Sequence, residues 1–269
     1  MRPSRIKAKL KRNEPVLLVT LHFTDPSAFE MASLMGFDGI WMDMEHHGYS
    51  LETAQTLMRA ARVGSSDIMV RPAKGEFMRI GRILESGAQG ILYPRCDNAD
   101  EAREVVTWSK FAPLGKRGFD SANPDNPYCS IPLAEYVQAA NDQTFVVIQI
   151  EDPAALKHAR EIAAVDGVDA LFLGPADFSL LAGIPGRFDH PLLQEATREI
   201  ADTARRAGKH WGTVSGSVEE IQRYMEMGAR FLCHGADIIM VKNGLEQIQD
   251  RFGRMGFSFV NRLTGSKTA

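Results

Sequence analysis

The sequence predicts a single (β/α)8 barrel spanning residues 1–269, and three observations lead to this fold class. Short apolar runs alternate with amphipathic segments along nearly the whole chain. Eight strand candidates, nearly all followed by a helix, recur about every 34 residues, which leaves enough chain for each crossover connection. The motifs GxGxxG and GxxxxGK[ST] are both missing, so an open nucleotide-binding sheet lacks its signatures.

The first half of the chain shows four strand–helix pairs, and several helices have recognisable ends. Asp25 is expected to cap a helix that has Pro26 at its first position. Ser50 opens the next helix, with Thr53 where a capping box would place Glu or Gln, and Gly87 closes the third. We expect strands at 15–23, 37–44, 67–72 and 88–94, and helices at 25–35, 50–62, 76–87 and 98–110.

The second half repeats the pattern. The most continuous apolar run, 144–151, is typical of a parallel strand covered on both faces. Asp152 and Pro153 begin the helix after it, and Gly208 ends a long helix further on. We expect strands at 144–151, 168–175, 209–214 (a weak one) and 229–235, and helices at 152–165, 190–208, 217–228 and 236–254.

Two segments fall outside this rhythm. Residues 111–130 contain several Pro and Asn residues without periodicity, so we expect an active-site loop or a contact arm rather than a passive linker. The basic start, 1–15, is expected to be a solvated first helix, with binding to an anionic surface as the lesser alternative. The tail after Phe259 is polar, and we expect it to be frayed.

Composition limits the classes of partner. The chain has 31 Lys and Arg against 34 Asp and Glu, so no basic excess is available to neutralise nucleic-acid phosphates. No apolar stretch approaches the roughly 20 residues of a membrane-spanning helix. Cys96, Cys129 and Cys233 lack CxxC spacing, and we expect small buried thiols in a reducing cytoplasm. A cytoplasmic protein without a nucleic-acid or membrane partner is therefore predicted.

The active site of a (β/α)8 barrel lies at the carboxyl ends of its strands. Polar residues at these ends are therefore the candidates for chemistry, and the predicted strands bring them to one rim. They are Asp43, Glu45, His46 and His47 after the second strand, Arg71 after the third, Gln149 and Glu151 after the fifth, Asp177 after the sixth, Ser215 after the seventh and His234 after the eighth.

Three groups of these residues suggest specific roles. Glu151 and Asp177 could bind Mg²⁺ or Mn²⁺ and leave positions for water and substrate oxygens, unless both merely cap turns. His46, oriented by Asp43, could act as a base near neutral pH, or could be an ordinary surface-loop histidine. Arg71 could hold a carboxylate or an oxyanion, or could be the ion-pair partner of an acid at the rim.

Six segments occur in a recognisable order along the chain: GFDGIWMDMEHHGYS, VRPAKGE, GAQGILYPRCDNADEAREVV, PLGKRG, VVIQIED and GVDALFLGPADFS. Together they make the chain resemble the HpcH/HpaI family of metal-dependent class II aldolases, which act on pyruvate-derived 2-oxo acids. The resemblance runs from about residue 15 to about residue 255 and implies a (β/α)8 barrel. It also implies that the final helix is exchanged between subunits of a homohexamer or another dimer-based assembly.

The resemblance implies a role for each site residue. Glu151 and Asp177 would be ligands of a divalent metal (Mg²⁺, Mn²⁺ or Co²⁺), and Arg71 would stabilise the pyruvate enolate. His46 and Asp43 would form the acid–base dyad. The substrate would be contacted by Arg71, by Gln149 and by the backbone N–H groups near Gly174, Ala176 and Asp177, and Glu85 would lie near the waters of the metal.

The resemblance implies a lyase that reversibly cleaves a 4-hydroxy-2-oxo acid to pyruvate and an aldehyde. The alternatives are decarboxylation of oxaloacetate or another enolate condensation at the same site and, more distantly, a barrel that only binds a 2-oxo acid. A Schiff-base route through Lys74, Lys209 or Lys242 stays open at this level. The segment GFDSANPDNPYCS lacks an arginine common in the family after GxRG, so the aldehyde is less well defined than the pyruvate.

Overall fold

Eight parallel strands close into one barrel, in which β8 returns to pair with β1. The structure, a computed structural model, describes residues 1–263 and the backbone of 267–268. The (β/α)8 fold predicted from the sequence is confirmed. The barrel strands are β1 (Val16–Leu21), β2 (Gly39–Asp43), β3 (Asp67–Arg71), β4 (Gly90–Tyr93), β5 (Phe145–Ile150), β6 (Ala170–Leu173), β7 (His210–Val214) and β8 (Phe231–Ala236).

Helices surround the barrel and close one of its ends. The helices are α1 (Arg5–Lys11), α2 (Pro26–Leu34), α3 (Leu51–Ala60), α4 (Phe77–Ser86), α5 (Ala99–Ser109), α6 (Leu133–Gln143), α7 (Pro153–Leu156), α8 (Ala159–Ala163), α9 (Pro175–Leu181), α10 (Pro191–Arg206), α11 (Val218–Glu226) and α12 (Asp237–Gly253). A 3-10 turn, Ala61–Val63, follows α3, and β9 (Phe259–Val260) pairs antiparallel with β10 (Lys267–Thr268).

The strands are buried on both faces, as expected for a parallel sheet covered by helices. Inward-pointing side chains such as Leu18, Phe145 and Phe231 form a cluster inside the barrel. A larger cluster, which includes Ile40, Leu171 and Ile200, fills the layer between the sheet and the helices. The interior is therefore packed, and only its ends can bind ligands.

The first helix is not solvated, which corrects the expectation for residues 1–15. Ile6 and Leu10 are buried in the cluster inside the barrel. Lys9 pairs with Asp38 at 2.8 Å and Lys7 with Asp169 at 2.6 Å, and both acids directly precede strands. The basic residues of α1 therefore hold the helix across the amino-terminal end of the barrel, which leaves the opposite end for the site.

Three other segments differ from the prediction. Residues 111–130 are irregular, as predicted, but α6, which follows them and buries only Tyr136 and Ala140, was missed. The predicted helix 152–165 is broken at His158 into α7 and α8. The strand predicted over 168–175 ends at Leu173, because Pro175 starts α9 instead. Asp177 therefore lies in the first turn of a helix. Within the frayed tail expected after Phe259, β9 pairs with β10, while 264–266 and 269 lie outside the described residues.

The cysteines are all free, but they are not all buried. Cys96 and Cys233 are buried, whereas Cys129 is exposed in the irregular segment. The expectation of buried thiols is therefore wrong for Cys129. No helix within the described part of the chain is long and apolar enough to cross a bilayer.

Candidate active site

The centre of the site is an arginine–carboxylate pair on adjacent strands. Asp43 and Arg71 are direct neighbours in the register of β2 and β3. Arg71 donates from Nε to Asp43 Oδ1 at 2.9 Å and from Nη2 to Asp43 Oδ2 at 2.7 Å, and its guanidinium lies 4.9 Å from the centre of the Trp41 ring. Both side chains are buried. The pair thus fixes the guanidinium at the mouth of the barrel.

The charges of this pair are stable. Burial alone would raise the pKa of Asp43, but the hydrogen bonds and the charge of Arg71, together with the backbone N–H groups of Glu45 and His46, outweigh burial, and the pKa lies below its usual value. Burial opposes the charge of Arg71 as well, yet the hydrogen bond to Asp43 raises the pKa of the guanidinium. The interpretation of Arg71 as an ion-pair partner of a rim acid is therefore correct, and it is compatible with a role toward substrate.

Three more carboxylates interact electrostatically with Arg71 or with one another. Glu45 Oε2 lies 3.3 Å from Arg71 Nε, is buried and has no hydrogen-bond partner among the described residues. Glu151 directly follows β5 and is buried. Burial raises the pKa of Glu151 to about 7, the charge of Arg71 lowers it in part, and the charges of Asp177 and Glu45 raise it. The site holds an excess of negative charge.

The Glu151 carboxylate is held in place from several sides. Its Oε1 accepts from Gln149 Nε2 at 2.9 Å, and its Oε2 accepts from the backbone N–H of Arg95 at 3.0 Å. It lies so close over Gly174 that a Cβ on that residue would be 1.8 Å from Oε1. The sequence suggested Gly174 as an N–H donor to substrate, but its N–H already donates to Ile150 O at 3.4 Å. Gly174 therefore makes room for Glu151.

Asp177 and the backbone around it face the same region. Asp177 is partly exposed in the first turn of α9, and its charge raises the pKa of both Glu151 and Glu45. The N–H groups of Ala176 and Asp177 belong to the first turn of a helix, where intrahelical acceptors are missing. Gln149 adds an unpartnered, buried Oε1. These groups remain available to a ligand.

The histidines are arranged differently from the predicted dyad. The His46 side chain is 57% exposed, and its Nε2 lies 3.6 Å from Glu45 Oε2. Only the backbone N–H of His46 contacts Asp43, at 3.4 Å. The imidazole nearest to Asp43 is that of His47, whose Nε2 is 4.0 Å from Oδ2. The structure therefore places the His46 ring beside Glu45 rather than beside Asp43.

Glu85 does not join this site within the chain, which corrects the expectation that it lies near the metal. It lies on α4 and lines a separate cavity with Ser50, Gln55 and Asn123. Burial raises the pKa of Glu85, the charge of Arg117 lowers it, and Asp120 and Asp125 raise it. The groups that affect its charge therefore belong largely to the irregular segment 111–130.

Residues outside the predicted set complete the mouth of the barrel. A cavity of about 480 Å³ begins at Asp43 and Arg71 and extends toward β1, β7, β8 and α12. His22, immediately after β1, was missed, although its position at a strand end is the signal that identified the others. Asn243 carries no comparable signal in the sequence, because it lies within helix α12 rather than at a strand end. The lining residues are Thr20, His22, Trp41, Asp43, Arg71, Val214, Ser215, Gly216, His234, Gly235, Ala236, Ile239, Met240 and Asn243.

Within the described residues, no group of three or more His, Cys, Asp or Glu side chains is arranged as a metal cluster. The paired carboxylates Glu151 and Asp177, with the unpartnered Gln149 Oε1 beside them, still form a hard, oxygen-rich donor set. Such a set fits a divalent cation that keeps several waters. A cation would also offset the repulsion that contributes to the raised pKa of Glu151.

Known proteins resemble this chain in sequence and in fold. Residues 18–244 match the family model described as HpcH/HpaI aldolase/citrate lyase. The chain is 36% identical over 248 residues to a 4-hydroxy-2-oxo-heptane-1,7-dioate aldolase of Shigella sonnei (strain Ss046), with 92% of this chain and 94% of the relative covered.

Solved structures with the same fold cover nearly all of the chain. An HpcH/HpaI aldolase from Desulfitobacterium hafniense DCB-2 superposes with a TM-score of 0.84 at 29% identity, covering 90% of this chain and 96% of the other. A citrate synthase, SbnG, superposes with a TM-score of 0.85 at 25% identity, covering 93% and 98%. The similarity therefore extends through the barrel as a whole.

Proposed function

Because the chain belongs to the HpcH/HpaI aldolase/citrate lyase family, we propose that it reversibly cleaves a 4-hydroxy-2-oxo acid to pyruvate and an aldehyde. Membership makes the chain an enzyme of the carbon–carbon lyase class. The proposal goes further by naming the bond, C3–C4, and the two products. The observation that carries it is the buried, fixed Arg71 guanidinium facing the coupled carboxylates Glu151 and Asp177.

We propose that Glu151 and Asp177 hold a divalent cation, Mg²⁺, Mn²⁺ or Co²⁺. When bound, the cation would act as a Lewis acid toward the 2-oxo group of the substrate. Gln149 supports the arrangement because its Nε2 holds Glu151 Oε1 at 2.9 Å. The substrate carboxylate would accept from the first-turn N–H groups of Ala176 and Asp177, because the amino terminus of a helix favours an anion.

Arg71 would provide the positive charge for the developing enolate. Its planar guanidinium group, a fork of N–H donors, is already oriented by Asp43. No reorganisation is therefore required when negative charge appears on the 2-oxo oxygen. Burial strengthens the interaction because less water screens it. Asp43 thus acts through Arg71, by fixing the guanidinium in place.

The proton steps need a base at the 4-hydroxyl group. His46 is proposed for this role, because its partly exposed ring lies at the rim, beside Glu45 Oε2. The base would take the hydroxyl proton as C3–C4 breaks, and the electron pair of that bond would become the enolate of pyruvate. Protonation of C3 then completes pyruvate, and the aldehyde leaves separately.

The lysines considered for a Schiff base are bound elsewhere. Lys74 Nζ donates to Arg95 O at 2.5 Å and pairs with Asp97 at 2.8 Å. Lys209 donates to Val168 O, and Lys242 pairs with Glu246. None of the three lines the cavity at Arg71, which favours the metal route.

A second candidate function keeps the same enolate and changes its fate. Similarity to a protein named as a citrate synthase favours condensation of the enolate with another electrophile. Decarboxylation of oxaloacetate would likewise pass through pyruvate enolate. Both use Arg71 and the paired carboxylates in the same way, so substrate panels must separate them.

The assembly is also part of the proposal. Helix α12 exposes a row of large apolar side chains and buries only Asp237, which supports packing of this helix on another subunit. We propose a homo-oligomer, with a hexamer as the expected form, located in the cytoplasm. The exposed apolar residues of α12 are Ile238, Ile239, Met240, Val241, Leu245, Ile248 and Phe252.

The test is a cleavage screen with the Mn²⁺-reconstituted protein. A panel of 4-hydroxy-2-oxo acids and oxaloacetate is offered, and pyruvate is read with a coupled dehydrogenase. The proposal expects aldol cleavage to be faster than decarboxylation and to be lost when Arg71→Ala is introduced. Pyruvate release from oxaloacetate alone would replace the proposal with the second candidate.

A further inference from the structure

The cavity at the barrel mouth extends to one side of the site. Arg71 and Asp43 form one end of it, and its walls come from β1, β7, β8 and α12 rather than from β5 or β6. The β5–β6 side of the site is occupied by the Glu151 carboxylate over Gly174. If the pyruvyl part of the substrate lies between Arg71 and Glu151, as the proposed function requires, the part beyond C3 must extend into this cavity.

The side chain of His234 is held in one tautomer. Its Nδ1 lies 2.8 Å from the backbone carbonyl oxygen of Ser215. A carbonyl oxygen can only accept, so Nδ1 must carry the proton of that hydrogen bond. In the neutral ring, Nε2 is then an acceptor with a free lone pair. His234 therefore presents a hydrogen-bond acceptor to the cavity.

The same reasoning applies to His22. Its Nδ1 is 3.0 Å from Asp237 Oδ1, and the Asp237 carboxylate also accepts the backbone N–H groups of Phe23 and Ile238. Such a carboxylate acts as an acceptor, so Nδ1 of His22 donates. The His22 ring centre is 4.3 Å from that of His47, and in the neutral His22 ring Nε2 is the acceptor.

Fixed positive charge is scarce in this cavity. Arg71 is the single lysine or arginine among its lining residues, and its fork is paired with Asp43 through two hydrogen bonds. Thr20, Ser215 and Asn243 add neutral polar groups. A distal carboxylate of a substrate would therefore meet two imidazole lone pairs and no free cation.

We propose that this cavity selects a neutral, hydroxylated aldehyde, whose hydroxyl groups donate to Nε2 of His234 and of His22. The inference rests on the proposed function and deepens it. It also separates this chain from the relative named for a heptanedioate, because an acyl chain that ends in a carboxylate finds no donor on Nε2 of either neutral imidazole. A hydroxyl group donates its proton to such acceptors, whereas an ionised carboxylate has none to give.

The experiment measures aldol addition with pyruvate and Mn²⁺ to three acceptors of similar size. They are glyceraldehyde, butanal and succinic semialdehyde. The expected order of kcat/KM places glyceraldehyde at least about tenfold above each of the others, which is the discrimination that one well-made hydrogen bond provides. Disappearance of pyruvate is recorded together with addition product for every acceptor.

Variants assign the preference to the histidine. His234→Leu removes the acceptor, and the ratio of glyceraldehyde to butanal should fall about tenfold. His234→Gln keeps an amide oxygen and should retain most of the ratio, which controls for misfolding. His158→Leu is the matched control, because His158 is exposed on the outside of the barrel between α7 and α8.

Each outcome decides the matter. Preference for glyceraldehyde that is lost in His234→Leu and kept in His234→Gln and His158→Leu supports the inference. Preference for succinic semialdehyde, or an unchanged ratio in His234→Leu, overturns it while leaving the aldolase intact. Absence of addition to all three acceptors, with no pyruvate consumed, overturns the inference and the proposed function together.

Discussion

The Arg71 guanidinium lies side by side with the Asp43 carboxylate, with Nε 2.9 Å from Oδ1 and Nη2 2.7 Å from Oδ2. Both oxygens of Asp43 are thereby engaged, and the imidazole of His47 lies too far away for a hydrogen bond, with Nε2 4.0 Å from Oδ2. The pair instead fixes a positive charge at the point where an enolate oxygen would develop. The arrangement therefore supplies a fixed planar set of N–H donors as well as a positive charge.

Arg71→Lys tests whether the fork matters. A lysine keeps the charge but cannot make two parallel hydrogen bonds to Asp43, so we expect kcat to fall by about 10²–10³, the range seen on removing one oriented oxyanion donor. Steady-state kinetics with the preferred substrate checks this. Arg79→Lys on the partly exposed outer face of α4 is the matched control. Equal activity of Arg71→Lys and wild type would show that charge alone suffices.

The identity of the base is tested by comparing two adjacent histidines. His46→Ala should slow turnover by about 10²–10⁴, as removal of a general base does. His47→Ala should have a much smaller effect on kcat, because its ring packs against His22 and lies 4.0 Å from Asp43. Both variants are measured for kcat and for Mn²⁺ affinity. If His47→Ala carries the larger loss, the base is His47.

Gly174→Ala should weaken metal binding. The added Cβ would lie 1.8 Å from Glu151 Oε1, so the carboxylate must move away from its bonds to Gln149 and Arg95. We expect Mn²⁺ affinity to fall by at least about tenfold, the size of effect seen when outer-shell support is lost. Titration calorimetry provides the measurement, with Gly118→Ala as the control, since nothing lies within 4 Å of a Cβ there. Wild-type affinity in Gly174→Ala would contradict the assignment of Glu151 as a ligand.

Metal affinity should depend on pH in a defined direction. Burial raises the pKa of Glu151 to about 7 in the metal-free protein, and a carboxyl group must lose its proton to bind the cation. Below pH 7 the affinity for Mn²⁺ should therefore fall by up to about tenfold per pH unit, with proton release on binding, and above pH 8 it should level off. Calorimetry in two buffers of different ionisation enthalpy checks both. Affinity that stays constant from about pH 6 to pH 8 would contradict this.

The apolar face of α12 should hold an assembly together. Leu245 is 58% exposed in the isolated chain, and Leu245→Glu would place a charge in any interface built on that face. We expect sedimentation velocity to show a smaller species than wild type. Val218→Glu on α11, where Val218 is 63% exposed, should leave the size unchanged. A wild-type protein that sediments as a monomer at micromolar concentration would refute the oligomer.

The sequence predicts the barrel well because every barrel strand has its own apolar run and a helix after it. The features that the sequence does not predict are contacts between residues that lie far apart along the chain. The buried apolar residues of α1 are only two, Ile6 and Leu10, and nothing local shows that they close the barrel end. Helix α6 was missed for a similar reason, because it buries only Tyr136 and Ala140.

At the site, strand ends identify the residue types but not their partners. Asp43 precedes His46 by three residues, and that short spacing predicts a pair of these two side chains. The register of β2 on β3 instead places Asp43 beside Arg71. The role of Gly174 as a space for Glu151 requires the packing of β5 against β6. His22 and His234 come together only because β1 and β8 close the barrel.

The measurement that tests the central claim most directly is exchange of the pyruvate methyl protons in deuterated water, followed by NMR. Protein is dialysed against chelator and compared before and after addition of Mn²⁺, with Asp177→Ala alongside. The account predicts exchange only in the reconstituted wild type, because forming the enolate requires the cation held by Glu151 and Asp177. Exchange that continues undiminished in metal-free protein, or in Asp177→Ala, would contradict it.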